Sequence, residues 1–189
     1  LDDRVMDIVA EGFDLAFRVG EPKDSTLIAR KIARNRMIIL ASPEFIDTYG
    51  MPKTIDELAL LPVANYTSTS LRVTTIKYLD EHGERIEKNM KSVFRANDGE
   101  ILLLKALSGT AFVVMPAFIV GSEVADGHLV PILPNLKLLD YSAMYAVYPH
   151  RDLPVRTRLF LDAVREYIGK DIPIWESNIP NFERLYQGS

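Results

Sequence analysis

The sequence has 189 residues, of which 48% are hydrophobic and 25% charged, with a net charge of −4 and no cysteine. This composition is that of an ordinary globular chain; it excludes disulfides and thiolate metal sites and lacks the basic footprint of a nucleic-acid-binding surface. No apolar run reaches the ~18 residues of a transmembrane helix and no signal peptide opens the sequence, so we expect no membrane partner and a cytoplasmic location.

The first part of the chain alternates helix-like and strand-like patterns. Apolar periodicity predicts a short helix over residues 5–9 that ends at Gly12, then strands over residues 13–19, 27–32 and 37–41. A cluster of cations extends from the end of the second of these strands to the start of the third: Arg30, Lys31, Arg34 and Arg36. Because no aromatic residues are interleaved with these cations, we predict a solvated turn rather than a phosphate site.

Two capping patterns predict the next helices. Ser42 followed by Pro43 marks the start of a helix that should end at Gly50. Thr54 with Glu57 has capping-box spacing and predicts a second short helix. A strand over residues 63–66 should follow, and its polar continuation through residue 70 predicts a loop rich in hydroxyl groups.

The central stretch predicts a hairpin and then a helix that begins at a polar turn. Residues 74–79 and 85–95 flank a glycine turn. Asn97 lies three positions before Glu100, which predicts that Asn97 caps a helix, and Gly109 is placed for a left-handed helix end. Backbone N–H groups at such a helix start favour anions, so Asn97 and Asp98 are also candidate ligand contacts, although capping is the favoured interpretation of these residues alone.

The last part of the chain predicts strands over residues 112–115 and 141–148 and an amphipathic helix over residues 155–168. The apolar positions assigned to one face of this helix are Val155, Leu159, Phe160, Ala163, Val164, Tyr167 and Ile168. Residues 169–189 contain scattered prolines and aromatic residues, which predict an irregular tail. Together the elements predict an α/β protein.

The residue types that commonly act in catalysis or bind metals form no recognisable catalytic motif in this sequence. His82, His128 and His150 have no partner at metal-ligand spacing, and no nucleophile elbow, phosphate-binding loop or dinucleotide fingerprint occurs. We therefore expect a protein that is not an enzyme, with no cofactor and no bound metal.

Short segments of the sequence, taken in order, resemble LysR-type transcriptional regulators. The matching segments are residues 7–20 (DIVAEGFDLAFRVG), 25–32 (STLIARKI), 41–45 (ASPEF), 49–52 (YGMP), 97–116 (NDGEILLLKALSGTAFVVMP), 126–130 (DGHLV) and 145–149 (YAVYP). Each segment is a weak signal, but their shared order makes the resemblance specific.

The resemblance implies a two-lobed α/β fold similar to type 2 periplasmic binding proteins, with a small-molecule effector in an interlobe cleft. It places the effector-binding domain at residues 1–168, the first lobe at 1–41 and 143–168, the second lobe at 42–142, and a tail at 169–189. The family's first strand and helix of the first lobe are absent from this sequence, so we expect either that the chain continues upstream or that a neighbour covers the exposed strand edge.

By position in the resemblance, the expected effector contacts in the first lobe are Arg18, Val19 and Gly20. Those expected in the second lobe are Tyr66, Ser68, Asn97, Asp98 and Phe118. From the residues alone, an arginine on a strand more often points to solvent or pairs with a carboxylate.

The function implied is effector sensing for a DNA-binding regulator, the effector being a small organic or aromatic acid. The resemblance implies that DNA is bound through a helix-turn-helix absent from this sequence, and that the regulator forms a homodimer or homotetramer. A solute-binding protein of a transport system shares the fold and is the alternative.

Overall fold

The computed structural model describes residues 10–20, 26–68, 72–140, 142–149, 152–169 and 171–184. The helix predicted over residues 5–9 lies outside this part of the chain. The elements are, in order, β1 (Ala16–Val19), β2 (Ile28–Asn35), β3 (Met37–Ala41), α1 (Pro43–Tyr49), α2 (Ile55–Leu60), β4 (Pro62–Tyr66), β5 (Thr75–Leu79), β6 (Arg85–Asn89), β7 (Lys91–Ala96), α3 (Gly99–Leu107), β8 (Phe112–Pro116), β9 (Val130–Pro131), β10 (Lys137–Leu138), β11 (Ser142–Tyr148), α4 (Val155–Ile168) and α5 (Ile174–Ser177). Two 3-10 turns cover Ala117–Ile119 and Phe182–Arg184. Within the described ranges, no helix combines the length and the apolar character that crossing a membrane requires.

The chain divides into two compact units. Unit 1 comprises Leu1–Asn35 and Tyr141–Ser177, and unit 2 comprises Arg36–Asp140 and Asn178–Ser189. The strand β3, which the sequence analysis assigned to the first lobe, pairs with β8 and β9, and these strands belong to unit 2.

Unit 1 is built on an antiparallel sheet with the strand order β1-β11-β2. Helix α4 covers this sheet through a stripe that includes Leu161 and Ile168. The buried cluster that results consists of Ile32, Ala33, Ala146, Tyr148, Leu161 and Ile168. The hydrophobic effect of burying this cluster therefore holds α4 against the sheet.

The apolar face predicted for α4 is largely wrong. Val155, Leu159, Phe160 and Tyr167 are exposed, and the helix buries Leu161 instead. The apolar residues of α4 extend around more than one face, so periodicity alone did not identify the side that packs. The Phe160 ring lies 6.2 Å from that of Phe17 on β1, an aromatic contact at the surface of unit 1.

Unit 2 contains a five-stranded mixed sheet with the order β7-β4-β8-β3-β9. Strand β4 is parallel to β7 and to β8, whereas β3 is antiparallel to β8 and β9. Most of β3 and β8 is fully buried, as expected of continuous apolar strands covered on both faces. Phe45 of α1 contacts the Phe112 ring edge-on at 6.3 Å, which fixes α1 on the sheet.

A second sheet of unit 2, with the order β10-β5-β6, contains the predicted hairpin. The second predicted strand, residues 85–95, is divided into β6 and β7, and β7 leaves the hairpin to pair with β4. Lys77 donates a hydrogen bond to Glu87, which lowers the pKa of that carboxyl group. Lys88 of β6 hydrogen-bonds Asp56 of α2, which raises the pKa of the lysine ammonium and links the hairpin to α2.

The prediction of a solvated basic turn is wrong. Arg34 lies within β2 and makes an ion pair with Glu176, and Arg36 is buried and makes an ion pair with Glu183. Both glutamates are more than 140 positions away in sequence. Local composition gives no sign of these ion pairs, because the partner glutamates lie far along the chain. For that reason it suggested a turn.

The predictions for α1 and β3 are confirmed, and the cap of α1 can be tested. The hydroxyl oxygen of Ser42 accepts a hydrogen bond from the backbone N–H of Phe45 at 3.2 Å. Replacing Ser42 by alanine removes this acceptor, and we expect the free energy of unfolding to fall by about 1 kcal/mol in urea denaturation. The variant Ser42→Thr retains an acceptor oxygen and should lose less; equal losses for the two variants would contradict the capping role.

Candidate functional site

The candidate site begins at one edge of the large sheet of unit 2. Strands β7, β4 and β8 are adjacent and parallel, so their carboxyl ends lie at the same edge. The backbone N–H of Thr67, just after β4, donates to the carbonyl of Ala96 at the end of β7 at 2.8 Å. Ligands of open α/β sheets commonly bind outside this carboxyl edge.

The topology brings the predicted second-lobe residues to this edge. Tyr66 ends β4, Asn97 and Asp98 follow β7, and Phe118 lies in the 3-10 turn after β8. Ser68 comes two residues after β4 and is half-buried, as are Tyr66 and Phe118. The edge therefore combines two hydroxyl groups, an amide, a carboxylate and two aromatic rings.

The prediction that Asn97 caps α3 is wrong by one residue. Asp98 is the cap: its Oδ1 accepts hydrogen bonds from the backbone N–H groups of Glu100, at 2.8 Å, and Ile101, at 3.2 Å. Asn97 precedes the cap and is exposed. Since the carboxylate of Asp98 already occupies the helix start, Asn97 is the better placed of the two to contact an acidic ligand.

The glycines at the two ends of α3 are explained by the local structure. A Cβ on Gly99 would overlap Cδ1 of Ile119, so glycine allows the 3-10 turn to pack against the first turn of the helix. Gly109 has a φ of +72°, and its N–H donates to the carbonyl of Ala106, which confirms the predicted left-handed helix end. The helix and the turn after β8 are thus held close together at the edge of the sheet.

Asn65 is a polar residue near this edge that was not among the predicted effector contacts. It lies within β4, is 2% exposed, and its Nδ2 has no hydrogen-bond partner in the described part of the chain. A buried amide donor without a partner costs free energy, so such a group commonly binds water or a ligand. The available signal was an asparagine inside an otherwise apolar strand.

The first-lobe candidates lie in unit 1. Arg18 and Val19 end β1, and the N–H of Gly20 donates to the carbonyl of Ala143 at 3.0 Å. Gly20 has a φ of +96°, a conformation that favours glycine at this turn. The Nε atom of Arg18 is shielded from solvent and has no hydrogen-bond partner in the described ranges. Arg18 therefore has a donor that a bound carboxylate could satisfy.

No group of three or more histidine, aspartate or glutamate residues within the described ranges could hold a metal ion. The polar groups at the edge of unit 2 and at the end of β1 are hydrogen-bonding groups suited to binding a small organic molecule. The expectation of an absent metal and cofactor stays a prediction for the chain as a whole.

Comparisons with known proteins identify a family and solved structures that resemble this chain. The model of the LysR substrate binding domain matches residues 1–169. The regulatory domain of CrgA from Neisseria meningitidis, a LysR-type transcriptional regulator, is 32% identical with a TM-score of 0.74, covering 89% of this chain and 81% of that chain. The solved CrgA domain therefore resembles this chain in fold as well as in sequence.

Curated relatives give the same description. The HTH-type transcriptional regulator PtxR of Pseudomonas aeruginosa is 31% identical over 171 residues, which cover 90% of this chain and 54% of PtxR. The regulator DmlR of Escherichia coli is 31% identical over 174 residues, which cover 92% of this chain and 56% of DmlR. The chain thus spans about half the length of the curated relatives it matches.

The corrected cap of α3 gives a matched pair of variants. Asp98→Ala removes an acceptor for two backbone N–H groups, and we expect the free energy of unfolding to fall by about 1 kcal/mol. Asn97→Ala removes no cap and should change that free energy by at most about 0.5 kcal/mol. Urea denaturation of both variants measures the difference, and a larger loss for Asn97→Ala would contradict the assignment.

Proposed function

Because this chain belongs to the family of LysR substrate-binding domains and is an effector-sensing regulatory domain with a type 2 periplasmic-binding-protein-like fold, we propose that it binds a small organic or aromatic acid. The effector contacts are the residues at the carboxyl edge of β7, β4 and β8 in unit 2 and those at the end of β1 in unit 1. The placement in an interlobe cleft stays a prediction from the family resemblance.

The observation that carries the proposal is the carboxyl edge of unit 2. Parallel pairing places the ends of three strands side by side, and each end supplies a predicted effector contact. Asn65 adds a buried amide donor without a partner in the described part of the chain, the kind of group that a polar ligand satisfies.

The chemistry of the candidate residues supports an acid as the effector. Arg18 supplies a guanidinium donor suited to a carboxylate, and Asn97 and Ser68 supply neutral donors. The ring of Phe118 and the apolar side chain of Val19 suit an aromatic or aliphatic body. The negative charge of Asp98 would repel a ligand carboxylate near the start of α3. We therefore expect the acid group of the effector to bind away from Asp98.

For the whole protein, we propose a transcriptional regulator that binds DNA through a helix-turn-helix and acts as a homodimer or homotetramer in the cytoplasm. The relatives PtxR and DmlR are named HTH-type transcriptional regulators, which supports the DNA-binding part of this proposal. Effector binding shifts the population of domain conformations and thereby changes how DNA-binding domains meet their sites. The same relatives favour a regulator over a transport solute-binding protein and support a domain without catalysis.

Thermal unfolding against a panel of small carboxylates and aromatic acids tests the proposal. We expect at least one acid to raise the midpoint progressively with its concentration, since a ligand present at 100 times its Kd stabilises by about 2.7 kcal/mol. The variants Arg18→Gln and Asn97→Ala should weaken that rise.

Asn89→Ala is the matched control, because Asn89 is an exposed asparagine on β6 of the same unit. It should leave the rise in midpoint unchanged. A panel in which no acid raises the midpoint would contradict the proposed effector class, and an acid that stabilises all these variants like the parent chain would contradict the proposed contacts.

A further inference from the structure

The segment at residues 171–184 lies beyond the family match, which ends at residue 169. It contains α5 and the 3-10 turn Phe182–Arg184. Its residues up to Ser177 group with unit 1, whereas those from Asn178 group with unit 2. The chain therefore passes from one unit to the other inside this segment, after two earlier passages at residues 35/36 and 140/141.

In unit 1 the segment is anchored by an ion pair. Glu176 of α5 has a fully buried side chain, and its Oε2 accepts from Nε and Nη2 of Arg34 at 2.9 and 2.5 Å. Such two-bond contacts between guanidinium and carboxylate are both strong and directional. Trp175 packs against the buried cluster of unit 1.

In unit 2 the segment is anchored by apolar burial and by a second arginine. Ile179 and Phe182 are 2% and 3% exposed. The guanidinium of Arg36 lies 4.4 Å from the centre of the Phe182 ring, and its Nη2 donates to Glu183 at 2.9 Å. Arg36 is therefore fixed against both residues by a cation–π contact and an ion pair.

The two arginines stand on either side of the first passage between the units. Arg34 belongs to unit 1 and Arg36 to unit 2, and only Asn35 separates them. Each arginine binds the part of the C-terminal segment that lies in its own unit. The passage at residues 177/178 is thus fastened on both of its sides to the arginines that flank the passage at residues 35/36.

We propose that residues 171–184 form a strap that restrains reorientation of the two units. A connection fastened on both sides gives the units fewer conformations than a loose linker does. Releasing the unit 2 anchor lengthens the free part of the connection and widens the range of orientations. The proposal concerns the freedom of the units and is independent of any effector.

The absence of cysteine allows a direct measurement of this freedom. Asp47→Cys on α1 of unit 2 and Glu166→Cys on α4 of unit 1 place spin labels at exposed helical positions. Pulsed dipolar spectroscopy then gives the distribution of distances between the labels. We expect this distribution to be broader in Glu183→Gln than in the doubly labelled parent.

Glu87→Gln is the matched control, because it removes an exposed ion pair of unit 2 outside the strap and should leave the width unchanged. Hydrogen exchange shows whether the strap is released: the amides of Ile179, Asn181 and Phe182 should exchange about tenfold faster in Glu183→Gln. If that single change does not accelerate exchange, Phe182→Ala is added to it.

If hydrogen exchange shows that the strap is released but the distance distribution does not change, the proposal is overturned. The segment would then only cover the hydrophobic core of each unit. Exchange that stays slow even in the double variant would contradict the assigned anchor. Thermal unfolding of every variant checks that both units remain folded, and a broader distribution counts as support only in variants that pass this check.

Discussion

Parallel pairing of β4 with β7 on one side and β8 on the other is the constraint on which the candidate site depends. Strands β7 and β8 run in the same direction on either side of β4, so a tight turn cannot join them; the connection must be a crossover, and α3 is that crossover. The helix therefore has to begin where β7 ends. Its first turn, the end of β4 and the turn after β8 meet at one edge as a consequence.

The chemistry of that edge divides between stability and recognition. Asp98 satisfies two backbone N–H groups of α3, a role that the helix needs whether or not a ligand is present. The crossover helix does not need the side chains of Asn97, Ser68 and Asn65 for its capping. The family places effector sensing in this domain, and these groups supply the donors that recognition of a small acid would use.

Elements with local signals were predictable from the sequence, and contacts across long separations were not. The limits of β3 and α1 followed from an apolar run and from the pair Ser42 and Pro43. The cap of α3 was misplaced by one residue because Asn97 and Asp98 are both good capping residues. The roles of Arg34 and Arg36 depend on Glu176 and Glu183, far along the chain, so composition predicted a turn. The site residues could be grouped only through the order of family segments, because the parallel register that unites those of unit 2 has no local signature.

Backbone amide chemical-shift mapping, with an acid that raises the thermal midpoint, shows directly which residues lie at the effector site. We expect the shifts to concentrate at the carboxyl edge of unit 2, in residues 67–68, 97–100 and 117–118, and at residues 18–20 of unit 1. Shifts confined to the β5–β6 hairpin or to the exposed face of α4, with the carboxyl edge unaffected, would contradict the proposed site.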